Sequence, residues 1–197
     1  MKRPTVRSAL LAVVGCVLIG CSRGETGEAP AAAARADSAG GDWGRPAVLA
    51  RDEGELRMLQ GRKPLYIKVD PLTSGSRTLT VGLEDMPPGD SIGIHKHLSE
   101  DELVFVHRGQ VDVTLGDGRY RAQAGATVFI PRGTWIGFRV VGPDTATILF
   151  AFNSPGFEKC LRILSAPAGE PYVRPADDAI AAARHQCHQV RQADVIP

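Results

Sequence analysis

Residues 89–109 read GDSIGIHKHLSEDELVFVHRG. His95 and His97 are two apart in a stretch predicted as a strand. Successive strand side chains alternate across the sheet, so both imidazoles share one face. Glu102 follows after a short turn and can return a carboxylate to the same place. Two neutral imidazoles and a carboxylate on one side of a cavity suit Fe(II), Mn(II), Ni(II) or Zn(II). The neighbouring Glu100 and Asp101 read as a solvated turn. His107 has odd parity relative to Glu102 and is predicted to point away from the cavity.

Outward from this stretch the apolar period remains two. Leu65, Ile67 and Val69 alternate with polar neighbours, as do Leu79, Val81 and Leu83. Val111, Val113 and Leu115 run into Gly116-Asp117-Gly118, a strong hairpin signal. Tyr120 and Ala122, then Val128 and Ile130, then Ile136, Phe138 and Val140, then Ile148, Phe150 and Phe152 continue the pattern. Short strands separated by Gly and Pro predict an all-β sandwich or barrel. After Pro155 the period lengthens. Phe157, Leu161 and Leu164 are spaced as on a helix, and Asp177 to Gln189 is a second helical stretch, acidic at its start. Both helices are expected to cap the outside of the barrel.

The spacing of the glycines around the histidines resembles the cupin superfamily. Gly89, His95, His97, Glu102 and Gly109 satisfy every interval of that family's first motif. The motif also permits Asp101 as the acid, but the interval to Gly109 favours Glu102. Gly125, Pro131 and Gly133 match the start of the second motif; Ile136 and Val140 then stand where that motif has His and Asn. The resemblance implies a double-stranded β-helix, the cupin jelly-roll barrel, with two short C-terminal helices. It also implies that His95, His97 and Glu102 are metal ligands and that Ile136 is a degenerate fourth ligand position. Trp135, of opposite parity to Ile136, is expected to pack outside the cavity. Gly156-Phe157-Glu158, Arg162 and the late Ala-rich helix are similar to the tail of quercetin dioxygenase-like bacterial cupins. Cupins often dimerise through their sheets, so the resemblance allows a homodimer.

The first 20 residues read as an export signal, with Lys2, Arg3 and Arg7 followed by twelve apolar or small residues from Ala9 to Gly20. A spanning helix needs about 20 apolar residues, so this stretch is short for a transmembrane anchor. Leu18-Ile19-Gly20-Cys21 resembles the lipobox of bacterial lipoproteins, which implies lipidation at Cys21; Cys16 is a poorer candidate. Ser22 after the Cys leans towards the outer membrane by that family's sorting rule. The predicted organisation is a signal peptide over 1–20, a flexible tether over 21–45, a cupin barrel over 46–155 and a helical extension over 156–197.

The chain has 197 residues, 43% of them hydrophobic, enough for one good core. Of its 23 basic residues 20 lie beyond the leader, against 22 acidic ones. That near-neutral balance carries no electrostatic footprint for nucleic acid. An exported chain passes an oxidising compartment, which favours a disulfide between Cys160 and Cys187. Free thiols, or a second metal site from His185, Cys187 and His188, are the alternatives. The reading reached from sequence is a membrane-tethered cupin that binds a small molecule in its barrel beside a three-ligand divalent-metal site. A metal-dependent cupin dioxygenase and a structural envelope lipoprotein are the competing readings.

Overall fold

The computed structural model describes residues 44–194. The export signal, Cys16, Cys21 and the tether as far as residue 43 lie outside the described residues. The strands are β1 (Glu55–Leu59), β2 (Lys63–Val69), β3 (Thr80–Met86), β4 (Ser91–His97), β5 (Glu102–Arg108), β6 (Gln110–Leu115), β7 (Gly118–Gln123), β8 (Thr127–Ile130), β9 (Ile136–Val140) and β10 (Ala146–Phe152). Helix α1 (Phe157–Ile163), strand β11 (Ser165–Pro167), helix α2 (Asp177–Gln186) and strand β12 (Gln189–Arg191) follow.

The strands form two antiparallel sheets. One runs β11-β1-β2-β3-β10-β5-β8, the other β12-β4-β9-β6-β7. Neither closes on itself, so the expected barrel is instead a pair of open sheets. They share one core, in which Leu65, Ile67, Val104 and Phe152 of the first meet Val111, Val113, Ile136 and Phe138 of the second. Each inner side chain is drawn from water by the partner sheet rather than by curvature of its own. The predicted hairpin is present: Leu115 pairs with Gly118, and Gly116 takes the positive φ (57°) that a two-residue loop requires.

The glycines that carry the motif stand where backbone geometry demands them. Gly109 has φ 77°, and a Cβ there would lie 2.7 Å from the Ala146 backbone. No side chain fits that approach, which joins the end of β5 to the start of β10.

β3 departs from the sequence reading. Its inward residues are Thr80, Gly82, Glu84 and Met86, whereas Leu79 precedes the strand and is 46% exposed. Val81 and Leu83 lie on the other face. The inner face is polar because its groups find buried partners. Thr80 donates to Glu158 (2.9 Å), and Glu84 accepts from Lys63 (3.0 Å). Gly82 admits the Phe150 ring, since a Cβ at 82 would sit 2.2 Å from its Cζ.

The residues after Phe152 form more than two helices. β11 pairs with β1 and β12 pairs with β4, so this segment extends both sheets. α2 ends at Gln186, short of the expected Gln189, which belongs to β12. The helices do not cap the outside. Phe157 and Leu161 of α1 and Ile180 and Arg184 of α2 line a cavity between the sheets. Two contacts hold α1 there. The buried Glu158 carboxylate joins Thr80 to the Gly156 N–H (2.5 Å), and Arg162 bridges Glu55 and Asp70. The Cys160–Cys187 disulfide ties α1 to the end of α2.

Candidate metal centre

β4 delivers His95 and His97 to the inner face, 5% and 2% exposed, with ring centroids 5.0 Å apart. β5 belongs to the opposite sheet, and its first residue, Glu102, completes the cluster. One donor atom from each of the three lies within 4.8 Å of the others. Among the described residues no other three His, Cys, Asp or Glu side chains converge in this way.

The partners of these groups define what the site can hold. His95 Nδ1 lies 2.9 Å from the Gly93 carbonyl. A carbonyl only accepts, so Nδ1 carries the proton and Nε2 presents a lone pair. Neither ring nitrogen of His97 has a hydrogen-bond partner, nor has Glu102 Oε2, and all three atoms are buried. His97 Nε2 stands 3.7 Å from Glu102 Oε2. The His97 ring is fixed by Phe152 and Phe157, at centroid distances of 4.8 and 4.6 Å. Unpartnered buried polar atoms are costly unless something satisfies them. A divalent cation between His97 Nε2 and Glu102 Oε2 would satisfy those two atoms, so the residues present fit a metal.

Burial pushes the His95 pKa down to about 4, with the cations Arg191 and Arg184 adding to the shift. Burial also lowers His97, to about 3, helped by His95. Both rings are therefore neutral at physiological pH, the form that ligates. Burial above all, with the nearby Glu84 adding to it, raises Glu102 to about 8. Without a cation this carboxyl is mostly protonated at neutral pH.

Ile136 is fully buried and pairs with His95 across the β4–β9 ladder. Its side chain shares a face with the imidazole and contributes no donor. The cluster is thus a two-His, one-carboxylate set with open positions.

Other predicted residues fall as follows. His107 is exposed, and Trp135 lies off the cavity with Lys96 Nζ 4.5 Å from its ring centroid. Glu100 is 3% exposed, against the expectation of a solvated turn. Asp101 is likewise engaged. It accepts from Arg132 through backbone and guanidinium and from Asn153, and Arg132 above all pulls its pKa down to about 2. Cys187 is spent in the disulfide, and His188 Nδ1 meets the Ser99 hydroxyl (2.6 Å), so the alternative second metal site does not form. Glu84 went unrecognised in the sequence. It lines the cavity and is paired with Lys63, which also reaches Asp90 at 3.0 Å. Nothing local marked it, because its partner lies 21 residues away.

The cluster opens on a cavity of about 470 Å³. Its walls include Phe138, Ile148 and Phe150 on the apolar side and Glu84, Arg184 and Arg191 on the polar side.

A family profile described as "Cupin domain" matches residues 82–152, which hold both glycine motifs and all three donors. The protein named polyketide synthase CurC of Streptomyces cyaneus is 31% identical over 106 residues, covering 54% of this chain and 68% of the relative. The chain belongs to the cupin superfamily. A second relative of this cupin, protein SchB of Streptomyces halstedii, is 30% identical over 80 residues, covering 41% of the chain and 58% of its own length. Among solved structures, KdgF from Halomonas sp. is similar at a TM-score of 0.48 and 18% identity, over 55% of this chain and 96% of that one.

Proposed function

We propose that this cupin is a metal-dependent enzyme of the dioxygenase kind, acting on a small molecule held in the cavity. The observation that carries the reading is the set of buried, unpartnered donor atoms on His97 and Glu102 beside the neutral His95. Fe(II) or Mn(II) held there would supply Lewis acidity and O2 chemistry through its open positions. The chain supplies the rest. The Gly93 carbonyl orients His95, Phe152 and Phe157 fix His97 and exclude water, and Ile136 keeps one side of the cluster apolar. Glu84, its pKa raised by burial, is the cavity carboxyl placed to exchange a proton with a ligand. The name of the Streptomyces cyaneus relative suggests a ligand of polyketide type. An oxygenated carbon skeleton suits a cavity with apolar walls and polar groups around the cluster.

The test is metal analysis of the purified protein after expression with Fe and Mn, followed by oxygen uptake over a panel of phenols and enols. One equivalent of metal, lost in His95→Ala, with uptake on some panel member supports the enzyme. Substoichiometric metal that His95→Ala leaves unchanged overturns it. Ile136, in place of a fourth ligand, favours a second reading: a metal-bearing small-molecule binder without turnover. A flat oxygen response from metal-loaded protein selects that one.

We further infer that the chain is exported and lipid-anchored at Cys21 on the periplasmic side, in the outer membrane. The support is the sequence alone; no helix among the described residues is long and apolar enough to cross a membrane. Labelling with a radioactive fatty acid in a bacterial host tests this. Equal label in Cys21→Ala and the parent chain would exclude the anchor.

A further inference from the structure

The cavity reaches solvent away from the metal cluster. Of its lining residues only Gln60, Arg62, Ser91 and Arg174 are exposed; the others are buried or half-buried. These four mark the mouth. Gln60 and Arg62 belong to the turn between β1 and β2, Ser91 opens β4, and Arg174 lies in the segment that joins β11 to α2. His97 closes β4, six positions beyond Ser91, roughly 20 Å along an extended strand. A ligand bound at the cluster therefore enters past the β1–β2 turn and the joining segment.

That segment is a strap. Residues 171–176 belong to no helix or strand. Its ends are fixed: β11 is laddered to β1, and the disulfide at Cys187 anchors the end of α2. Pro171 and Pro175 bracket Tyr172, Val173 and Arg174. Each proline fixes its own φ and favours extended chain, so the strap crosses as a short bar. Val173 is 81% exposed, whereas Tyr172 turns inward and lines the cavity. Gly61 provides its seat. A Cβ at Gly61 would lie 2.9 Å from the Tyr172 Cβ and 3.3 Å from its Cγ. Gly61 also has φ 73°, so sterics and backbone both exclude a side chain there. The turn that carries Gly61 is tied to the fold, because the Gln60 N–H donates to the Leu164 carbonyl at the end of α1 (3.3 Å). The strap rests on that fixed turn through the Tyr172 side chain.

We propose that Tyr172 is the gate of the cavity: seated on Gly61 it narrows the mouth, and swinging out with the strap it admits the ligand. Local opening of a segment without ladder bonds costs little beyond the contacts that it breaks. Losing one half-buried aromatic ring shifts such an opening roughly tenfold. A lid of this kind excludes water and sets the rate of entry. The gate serves the cavity whatever its ligand; its part in turnover rests on the function proposed above.

The test uses the full chain, metal-free, and N-phenyl-1-naphthylamine, a neutral probe that fluoresces in apolar surroundings. Stopped-flow mixing reads its rate of entry. Tyr172→Ala is expected to speed entry roughly tenfold, while Tyr172→Phe, which keeps the ring, stays within about twofold of the parent. Pro171→Gly combined with Pro175→Gly loosens the strap and leaves the ring in place. It is expected to speed entry as well, by less than Tyr172→Ala does. Entry at the parent rate in Tyr172→Ala, or equal acceleration by Tyr172→Phe, overturns the gate, and so does a probe that enters none of the chains. Calorimetry with Mn(II) on the same chains separates the two proposals. Ring-dependent entry without metal uptake sinks the enzyme reading and keeps the gate; stoichiometric metal with ring-independent entry does the reverse.

Discussion

Glu102 Oε2 and His97 Nε2 stand 3.7 Å apart, on strands from opposite sheets, and neither has a hydrogen-bond partner. The gap is too wide for a hydrogen bond and suits one ion with bonds of about 2.0–2.2 Å to each atom. The relation implies that the cluster's properties depend on what lies in that gap.

Glu102→Gln keeps the shape of the side chain and removes the carboxylate. Loss of even an outer-shell partner lowers metal affinity roughly 10–100-fold, so loss of this ligand is expected to cost at least that. The metal-free variant should be no less stable than the parent at pH 8, because a buried charge is gone. Mn(II) calorimetry and urea unfolding at pH 8 check the two halves.

The same pKa shifts set how the metal-free protein responds to pH. His95 and His97 fall from 6.5 to about 4 and about 3, so each contributes stability that is lost as pH drops through those values. Glu102 rises from 4.5 to about 8, so its contribution is complete below 4.5 and is lost as pH rises through 8. Two histidines outweigh one carboxyl up to pH 6.5; above it only Glu102 acts. Stability of the metal-free chain is expected to peak near pH 6.5 and to fall by about 2 kcal/mol towards pH 8. Metal should abolish the fall. Urea unfolding across pH 5–8.5, with and without Mn(II), measures it, and a flat profile above 6.5 would contradict the assignment to Glu102.

Ile136→His places an imidazole directly across from His95. A fourth donor on the same face is expected to raise metal affinity roughly tenfold or more while lowering metal-free stability, since the ring replaces a fully buried apolar side chain. Competition against a chelator reads the affinity, and thermal melting of the stripped protein reads the cost.

Reducing Cys160–Cys187 opens a link with a sequence separation of 27. On a chain-entropy account this lowers stability by about 3–4 kcal/mol. Loss of the tether should also loosen β12, so hydrogen exchange at residues 189–191 is expected to rise more than in β6 or β9. Unchanged exchange there would mean that ladder bonds to β4 alone hold the strand.

Lys63 balances two carboxyls, Glu84 and Asp90, each 3.0 Å away. Lys63→Met leaves Glu84 buried without its cation, while Asp90 keeps Arg62 at 3.4 Å, and is expected to cost about 3–5 kcal/mol. Glu84→Gln keeps the Lys63–Asp90 pair and should cost less. Denaturant unfolding of the two variants gives the order directly.

Much of the site was legible in the sequence. The His-x-His interval sets both rings on one face whatever the surroundings, and glycines at tight turns mark where strands end. Ile136 was readable as the missing donor for the same reason, since its place is counted from Pro131 and Gly133. β3 was not legible in this way. Val81 and Leu83 suggested the wrong inner face, because the face that turns inward carries the polar Thr80 and Glu84. Glu84 faces inward only because Lys63, on another strand, is there to meet it.

Local chemistry along the chain determined the strands, the turns, the pair of imidazoles and the acid that joins them. These follow from side-chain alternation and glycine φ, which act over a few residues. Tertiary structure alone decided that the sheets stay open, that α1 and α2 face the cavity, and that Arg191 stands beside His95. A three-residue strand such as β12 has no period to read. Its place is set by register with a strand more than ninety residues away along the chain, and that register comes from long-range packing rather than from anything written in its own residues.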